Sequence, residues 1–361
     1  MAGLDGLADA ARSKLDPVHW DYIAGGAGDE RTLRENEQAF DLWRLRPRVL
    51  RPVGSRDLRT TLLGTTLDTP VLVAPTAFHL LAHPGGEAET AAGVAAAGSL
   101  MVAGMAATQP VEKIAAAGAP LWFQLYLQPD RGFTETVVRR AEAAGCRALV
   151  VTVDSPVFGR RPRDLANGFL DLPAGMACEN MRDEDGRVRD IAMDADLDWD
   201  RVDRLREATE LPVLLKGVLH PADAHLAVEH GIDGLVVSNH GGRQLDRVTA
   251  TLDALPAVVD AVGGAVPVLL DGGIRRGTDV LVALALGASA VLVGRPVLWG
   301  LAVEGATGVR RVLTTLADEL EHAMALTGAA RPAELTPDLV VAAEPTGRGT
   351  PRQPGEEREG R

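Results

Sequence analysis

Between residues 70 and 293 the chain alternates short apolar runs with longer Ala-rich stretches. The runs are 70–74 (PVLVA), 100–104 (LMVAG), 121–127 (LWFQLYL), 148–153 (ALVVTV), 213–215 (VLL), 234–237 (GLVV), 266–270 (VPVLL) and 290–293 (AVLV). Most are continuous in Val and Leu rather than alternating, the mark of parallel strands covered on both faces. Residues 86–97, 111–117, 133–144, 199–209, 221–230, 252–262 and 277–286 carry helical spacing, and several are followed by a helix-stopping glycine. Pro221 opens its helix where a missing N–H costs nothing. Strand–helix alternation of this kind predicts a closed (β/α)8 barrel, the TIM barrel of the α/β class. An open doubly wound sheet is the alternative, and eight units in a row favour closure.

Three stretches fall outside the repeat. Residues 1–68 are expected to form helices and a short hairpin closing the barrel bottom. Residues 155–198, rich in Asp and Arg, make a long excursion after strand four, where a functional lid or partial disorder is expected. Residues 344–361 hold Pro, Gly and charge with no apolar anchor, the composition of a disordered tail. The expected organisation is one barrel domain over 1–343.

Composition narrows the partners. A net charge of −13 disfavours nucleic acid or an anionic membrane, although a locally basic pocket is compatible with it. No apolar run is long enough to span a bilayer, and residues 1–20 lack a secretion-signal layout. Cys146 and Cys178 do not make a disulfide framework. A reducing, cytoplasmic setting is the default expectation.

A barrel carries its active site at the C-terminal ends of its strands. In chain order the residues found there are Pro75, Thr76 and Ala77; Gly104; Gln124 and Tyr126; and Thr152 and Asp154, with Arg160 and Arg161 following. Then come Lys216; Ser238, Asn239 and His240 with Gly241, Gly242 and Arg243; Asp271, Gly272, Gly273 and Arg275; and Gly294 and Arg295. Lys, Arg, His and Asp thus converge on one rim, and buried charge persists only when paired or bound to a ligand. Glycines with arginines after strands seven and eight match the usual barrel phosphate site. A phosphorylated, anionic cofactor across the rim follows from the residues alone.

The stretches SNHGGRQLD (238–246), DGGIRRGTD (271–279) and VGRP (293–296) together resemble the FMN-dependent 2-hydroxy-acid oxidases and dehydrogenases. DYIAGGAGDERTLREN (21–36), APTA (74–77), FQLY (123–126), TVDSPVFGRR (152–161) and LLKGV (214–218) extend the resemblance from about residue 20 to about residue 339. That family includes glycolate oxidase, lactate oxidase, mandelate dehydrogenase and the hydroxymandelate oxidases. The resemblance implies FMN held at Thr76, Ala77, Gly104, Gln124, Thr152, Lys216 and Ser238. It implies a phosphate site at Asp271, Gly273, Arg275, Gly294 and Arg295. Lys216 would stabilise negative charge on reduced flavin. Arg161 and Arg243, with Tyr22, would clamp a substrate carboxylate, for which an arginine fork is suited. Tyr126 would hydrogen-bond the substrate, and His240 would be the catalytic base, oriented by Asp154. The resemblance also implies an (S)-2-hydroxy acid as substrate and a homo-tetramer; oxygen is the expected electron acceptor, while the sequence does not decide oxidase against dehydrogenase.

Two positions depart from the plant glycolate oxidase pattern: Gly104 stands for a serine near the flavin, and Ala106 for a pocket tryptophan. The lost indole predicts a substrate bulkier than glycolate, such as a mandelate. The lid also looks shortened, which suggests an open mouth. Alternative readings are an FMN-barrel isomerase of the type 2 isopentenyl diphosphate kind, an enzyme modifying a peptide or natural-product intermediate, and a silent flavin-binding scaffold. The intact His–Asp–Arg set argues against the last. His79 and His83 have an HxxxH spacing but no further ligand, so they read as loop residues, with Phe78–His79 expected to line the pocket; no metal is expected. Gly25, Gly26 and Gly28 follow no strand and read as a turn behind Tyr22.

Overall fold

The computed structural model describes Leu4 and residues 6–343; the expected tail at 344–361 lies outside the described residues. Eight parallel strands close into a barrel in sequential order: Val71–Val73, Met101–Gly104, Leu121–Leu125, Leu149–Thr152, Val213–Lys216, Gly234–Val237, Val268–Asp271 and Ala290–Val293. The eighth returns to the first with Val291 opposite Val71 and Val293 opposite Val73. Each strand coincides with one of the eight apolar runs to within a few residues at its ends.

The two faces of these strands bury different layers. Val71, Val73, Met101, Ala103, Phe123, Leu149, Val151, Leu215 and Val237 point outward into the layer shared with the helices. Leu72, Leu100, Val102, Trp122, Val150, Leu214, Val236, Leu269 and Leu292 fill the barrel interior. Both faces are apolar, so the alternation inherent in a strand is invisible in the hydropathy pattern.

The hairpin of Thr60–Leu62 and Thr65–Leu67 plugs the bottom, placing Leu62 and Leu67 against the interior residues. The other N-terminal elements do not close the bottom as expected. Helix α1 (Leu7–Lys14) packs on the helix that follows strand eight. Helices α2 (Pro17–Ala24) and α3 (Arg31–Asp41) reach the opposite rim, where Asn36 exchanges hydrogen bonds of 2.8 and 2.7 Å with Asn239. Strand six ends there, and a buried amide pair is a strong anchor because neither partner has water to fall back on.

Residues 295–339 hold a feature outside the reading of the repeat: a helix from Arg295 to Thr327, interrupted by non-helical backbone at Glu304 and Gly305. It covers the flank between Gly86–Ala95 and Gly277–Ala285. After it, Val340–Ala342 pairs antiparallel with Trp43–Leu45, tying the end of the described chain to the N-terminal segment. No described helix is long and apolar enough to cross a membrane.

Trp122 is fully buried and is the largest side chain of the interior layer. Trp122→Ala is expected to lower stability by about 3–5 kcal/mol, read as a fall in the urea midpoint at unchanged slope. A loss below about 1 kcal/mol would contradict a packed interior.

Candidate active site

The period of two along each strand explains the site. Two residues beyond Trp122, Val150, Leu214, Val236, Leu269 and Leu292 stand Gln124, Thr152, Lys216, Ser238, Asp271 and Gly294. They form the next layer up on the same inward face. The Gln124 side-chain amide donates to Thr152 Oγ1 at 3.0 Å, and its carbonyl oxygen accepts from the Met105 N–H at 3.2 Å. Lys216 Nζ donates to Ser238 Oγ at 2.8 Å and lies 3.2 Å from Asp271 Oδ2. Lys216 is therefore paired within the protein. Asp271 Oδ1 is buried without a partner among the described residues.

Above this floor lies a cavity of about 930 Å³. His240 lines it with a positive φ of 60°, a strained backbone for a residue other than glycine. The turn is held by the Asn36–Asn239 pair and by the His240 N–H donating to Ser238 Oγ at 3.1 Å. His240 Nδ1 lies 3.0 Å from Asp154 Oδ1, which also accepts from Ser155 Oγ at 2.9 Å. Burial lowers the His240 pKa below its ordinary value; Asp154 opposes this, while Lys216 and Arg243 add to it. Burial pushes the Asp154 carboxyl up, but the charge and hydrogen bond of His240, then Lys216 and Ser155, outweigh it and leave it low. The pair is a neutral imidazole beside a carboxylate, with Nε2 the nitrogen left to take a proton.

Arg161 and Arg243 both face Tyr22, with guanidinium carbons 5.8 and 4.8 Å from its ring centre. Arg243 Nη1 donates to the carbonyls of Tyr22 and Gly25 at 2.6 and 3.0 Å. Burial, and then the charge of Arg161, lower the Arg243 pKa. Tyr22 stacks on Phe78 at 5.3 Å and tilts against Phe169 at 5.1 Å. Burial, then Asp154, raise the Tyr126 phenol, which keeps it a hydrogen-bond donor at neutral pH.

The glycine-rich side of the rim is cationic. Arg275 reaches Glu37 at 2.5 Å and lies over Trp299. Arg295 donates its side-chain N–H groups to the carbonyls of Ile23, Gly25 and Gly241, with no carboxylate among these partners. Burial and then the charges of Arg243 and Arg275 pull its pKa down to about 9. With its side chain so engaged, Arg295 has its backbone N–H for a ligand, beside Gly294 at the amino end of the long helix, where the first N–H groups lack helical acceptors.

The lid, residues 155–198, holds the short helix Pro162–Ala166 and the turn Glu179–Met181. Gln244 fastens its start, its side-chain amide donating to the carbonyls of Asp154 and Val157 at 3.2 and 3.0 Å. Arg163 and Asn167 reach Glu30 and Asp21 at 2.6 and 2.9 Å.

The sequence matches the family described as FMN-dependent dehydrogenase over residues 11–342. It is 48% identical over 336 residues to the L-lactate oxidase of a Nostoc species, covering 88% of this chain and 92% of that one. It is 47% identical over 344 residues to glycolate oxidase 1 of Zea mays, covering 92% and 93%. A crystal structure of a mandelate oxidase with 3,3-difluoro-2-hydroxy-3-phenylpropionic acid superposes with a TM-score of 0.89 at 42% identity, covering 95% and 99%. Another, with (S)-2-phenylpropionate, gives 0.87 at 43%, covering 92% and 96%.

The chain belongs to the FMN-dependent dehydrogenase family. It is an FMN-dependent 2-hydroxy-acid oxidase of that family, acting on CH–OH donors.

The rim residues fit FMN. The buried Asp271 Oδ1, without a partner among the described residues, would accept from a hydroxyl of a polyol chain. Gln124, Thr152, Lys216 and Ser238 form a polar floor for a heteroaromatic edge. Arg275 and the N–H groups at Gly294 and Arg295 suit a phosphate. The cavity meets Thr76, Ala77, Gly104, Gln124, Lys216, Asp271, Gly273, Arg275, Gly294 and Arg295, and also Tyr22, Ala106, Tyr126, Arg161, His240 and Arg243. Thr152 and Ser238 lie just beneath, and Asp154 behind His240. A Cβ on Gly104 would meet nothing nearer than 3.5 Å, so this position is open enough for a larger residue.

One expectation is corrected. Phe78 lines the cavity but His79 does not: it is fully buried, between Thr76 Oγ1 at 2.7 Å and Thr90 Oγ1 at 2.8 Å. Its burial lowers its pKa, so it is a neutral strut under Thr76. Among the described residues no group of three His, Cys, Asp or Glu could hold a metal ion. Asn36, Phe169, Gln244 and Asp164 were not singled out by the sequence. Asn36 had a signal, a polar residue on the buried face of an amphipathic helix; the others had none.

Gly273 has a φ of 84°, and an added Cβ would fall 2.0 Å from the Asn36 carbonyl oxygen. Gly273→Ala is expected to cost about 2–4 kcal/mol through strain and displacement of α3. The readouts are the urea midpoint and the flavin absorbance retained per chain; full retention of both would refute the close approach.

Proposed function

We propose that this enzyme oxidises a bulky, aromatic (S)-2-hydroxy acid of the mandelate type to its 2-oxo acid, with oxygen as acceptor and hydrogen peroxide as the second product. The observation that carries the reading is the meeting, in one cavity, of the His240–Asp154 pair with two arginines beside a wall that Ala106 leaves open. In this reading Arg161 and Arg243 hold the carboxylate, with Tyr22 beneath them, and Tyr126 donates its O–H to the substrate. His240 removes a proton through Nε2, and Asp154 stabilises the imidazolium that results. When bound, FMN supplies the two-electron acceptor, held by the residues at Thr76, Ala77, Gly104, Gln124, Thr152, Lys216 and Ser238, with Asp271, Gly273, Arg275, Gly294 and Arg295 around its phosphate and polyol. Lys216 contributes a fixed positive charge where negative charge builds up.

The aromatic preference rests on the wall. Phe78, Ala106, Leu172 and Met176 border the cavity. The similarity to mandelate oxidase structures containing phenyl-bearing acids supports it. A small-acid reading has its own support in the somewhat higher identity to the L-lactate oxidase.

Anaerobic titration of the yellow protein with (S)-mandelate, (S)-lactate and glycolate separates the two. Mandelate is expected to bleach the flavin band fastest, and readmitted air to restore it with peroxide released. Ala106→Trp is expected to cut kcat/KM for mandelate by about 10-fold or more, the scale of overfilling a packed site, while sparing glycolate. Fastest bleaching by glycolate in the parent enzyme would sink the aromatic assignment.

The pH dependence tests the base. Neutral His240 is the active form, so kcat/KM falls as pH drops through its pKa. That pKa is lowered from 6.5, placing the acid limb below 6.5. Asp154 raises the His240 pKa, so Asp154→Asn is expected to move the limb further to the acid side. The same change is expected to lower the plateau by about 10²–10⁴-fold. A limb that moved to higher pH would contradict the assignment.

A further inference from the structure

We propose that Asp164 is a tethered competitor for the substrate's carboxylate: it occupies Arg161 in the free enzyme, and an incoming 2-hydroxy acid displaces it. This rests on the function proposed above and adds to it a residue that sets affinity.

Arg161 is the cap residue, and Asp164 the third residue, of the helix Pro162–Ala166. Arg161 precedes the helix with extended backbone, and Asp164 in the first turn stands close enough for the two side chains to meet. Both line the cavity, with 18% and 14% of their side chains exposed. They meet through one contact, Arg161 Nη1 to Asp164 Oδ2, at 3.4 Å. Among the described residues the Asp164 carboxylate makes no other hydrogen bond, and Arg161 Nε is buried with no partner.

Long single contacts occur elsewhere, as between Arg163 and Asp21 at 3.4 Å or the exposed Arg139 and Glu135 at 3.7 Å, but the tightly held acid–arginine pairs are built differently. Arg140 grips Glu112 through two bonds of 3.0 and 3.1 Å, and Arg182 grips Glu179 through two of 2.9 and 2.8 Å. Arg163 holds Glu30 at 2.6 Å. Short, forked contacts fix an arginine in place. The Asp164 contact is long and single, leaving most of the Arg161 fork unused. It neutralises the arginine without locking it.

Electrostatics explain why a carboxylate stands there. Arg161 and Arg243 share the cavity and repel each other, as the lowered Arg243 pKa reflects after burial itself. The Asp164 carboxylate, acted on by both arginines, offsets that repulsion. The groups acting on Asp164 are Arg161 from its own helix, Arg243 from the loop after strand six, and Asp21 from α2. Arg163, also on its helix, turns away to Asp21 and Glu30. Burial pushes the Asp164 carboxyl up, and the two arginines do not cancel the rise. Asp164 is thus an incompletely compensated carboxylate, poised to yield to one that meets the whole fork.

The test uses FMN-loaded enzyme and phenylacetate, an acid with no α-hydroxyl to oxidise, with binding read from the flavin difference spectrum. Asp164→Asn is expected to bind phenylacetate about 2–5-fold more tightly, the scale of one weak ion pair removed. KM for the oxidised substrate is expected to fall by a similar factor, with a smaller change in kcat. Asp164→Glu keeps the competing charge and is expected to bind no more tightly than the parent. If the Asn variant loses its flavin, Asp164→Ser is read in the same way. Equal or weaker binding in the neutral variants overturns the proposal and makes Asp164 a positioning residue for Arg161. A parent enzyme that binds phenylacetate yet does not oxidise (S)-mandelate counts against the proposed function instead, while the order of affinities still decides the role of Asp164.

Discussion

The packed interior of the barrel is the constraint on which everything else rests. Leu72, Leu100, Trp122, Val150, Leu214, Val236, Leu269 and Leu292 fill it, and Leu62 and Leu67 seal it from below. A filled interior has no room for a polar group, so the next inward position along each strand is the first that can be polar. Gln124, Thr152, Lys216, Ser238 and Asp271 occupy that level, placed there by strand geometry and bonded to one another within it. The floor of the site is consequently as rigid as the core beneath it.

On that rigid floor stand parts held less firmly. His240 sits in a strained turn stabilised from α3 through Asn36 and from strand four through Asp154. Three segments distant in sequence therefore agree on the position of one imidazole. Strain of this kind persists only where the surroundings overdetermine the backbone. The lid is held mainly by side chains, with Gln244, Arg163 and Asn167 as its fasteners. Arg161, which the proposed function sets against the substrate carboxylate, belongs to this softer layer, whereas Arg243 is bound to the carbonyls of α2 and the turn after it. Under the proposed function, one firm and one adjustable arginine would let the site seat acids of different bulk.

Most of the fold was legible because its signal is local. Eight runs of Val and Leu between Ala-rich helical stretches allow few arrangements, and the barrel follows from their number. The long helix from Arg295 lay beyond the last strand, outside the repeat. The placement of α2 and α3 at the upper rim depends on Asn36, Thr32 and Asp246, whose bonds span more than two hundred residues. The helix pattern marks Asn36 as buried, but nothing local says which distant residue it meets.

The sequence by itself determined the fold, the chemical character of the rim and, through matching stretches such as SNHGGRQLD and DGGIRRGTD, the family. These depend on residue type and on spacing along the chain, and a chain carries both before it folds. Tertiary structure alone decided what each charge is paired with. Lys216 meets Asp271, the Arg295 side chain is taken up by carbonyls, His79 lies beneath the cavity wall, and Asp164 rests against Arg161. Electrostatic roles depend on distances of a few ångströms between segments that the chain keeps far apart, and only closure of the barrel sets those distances.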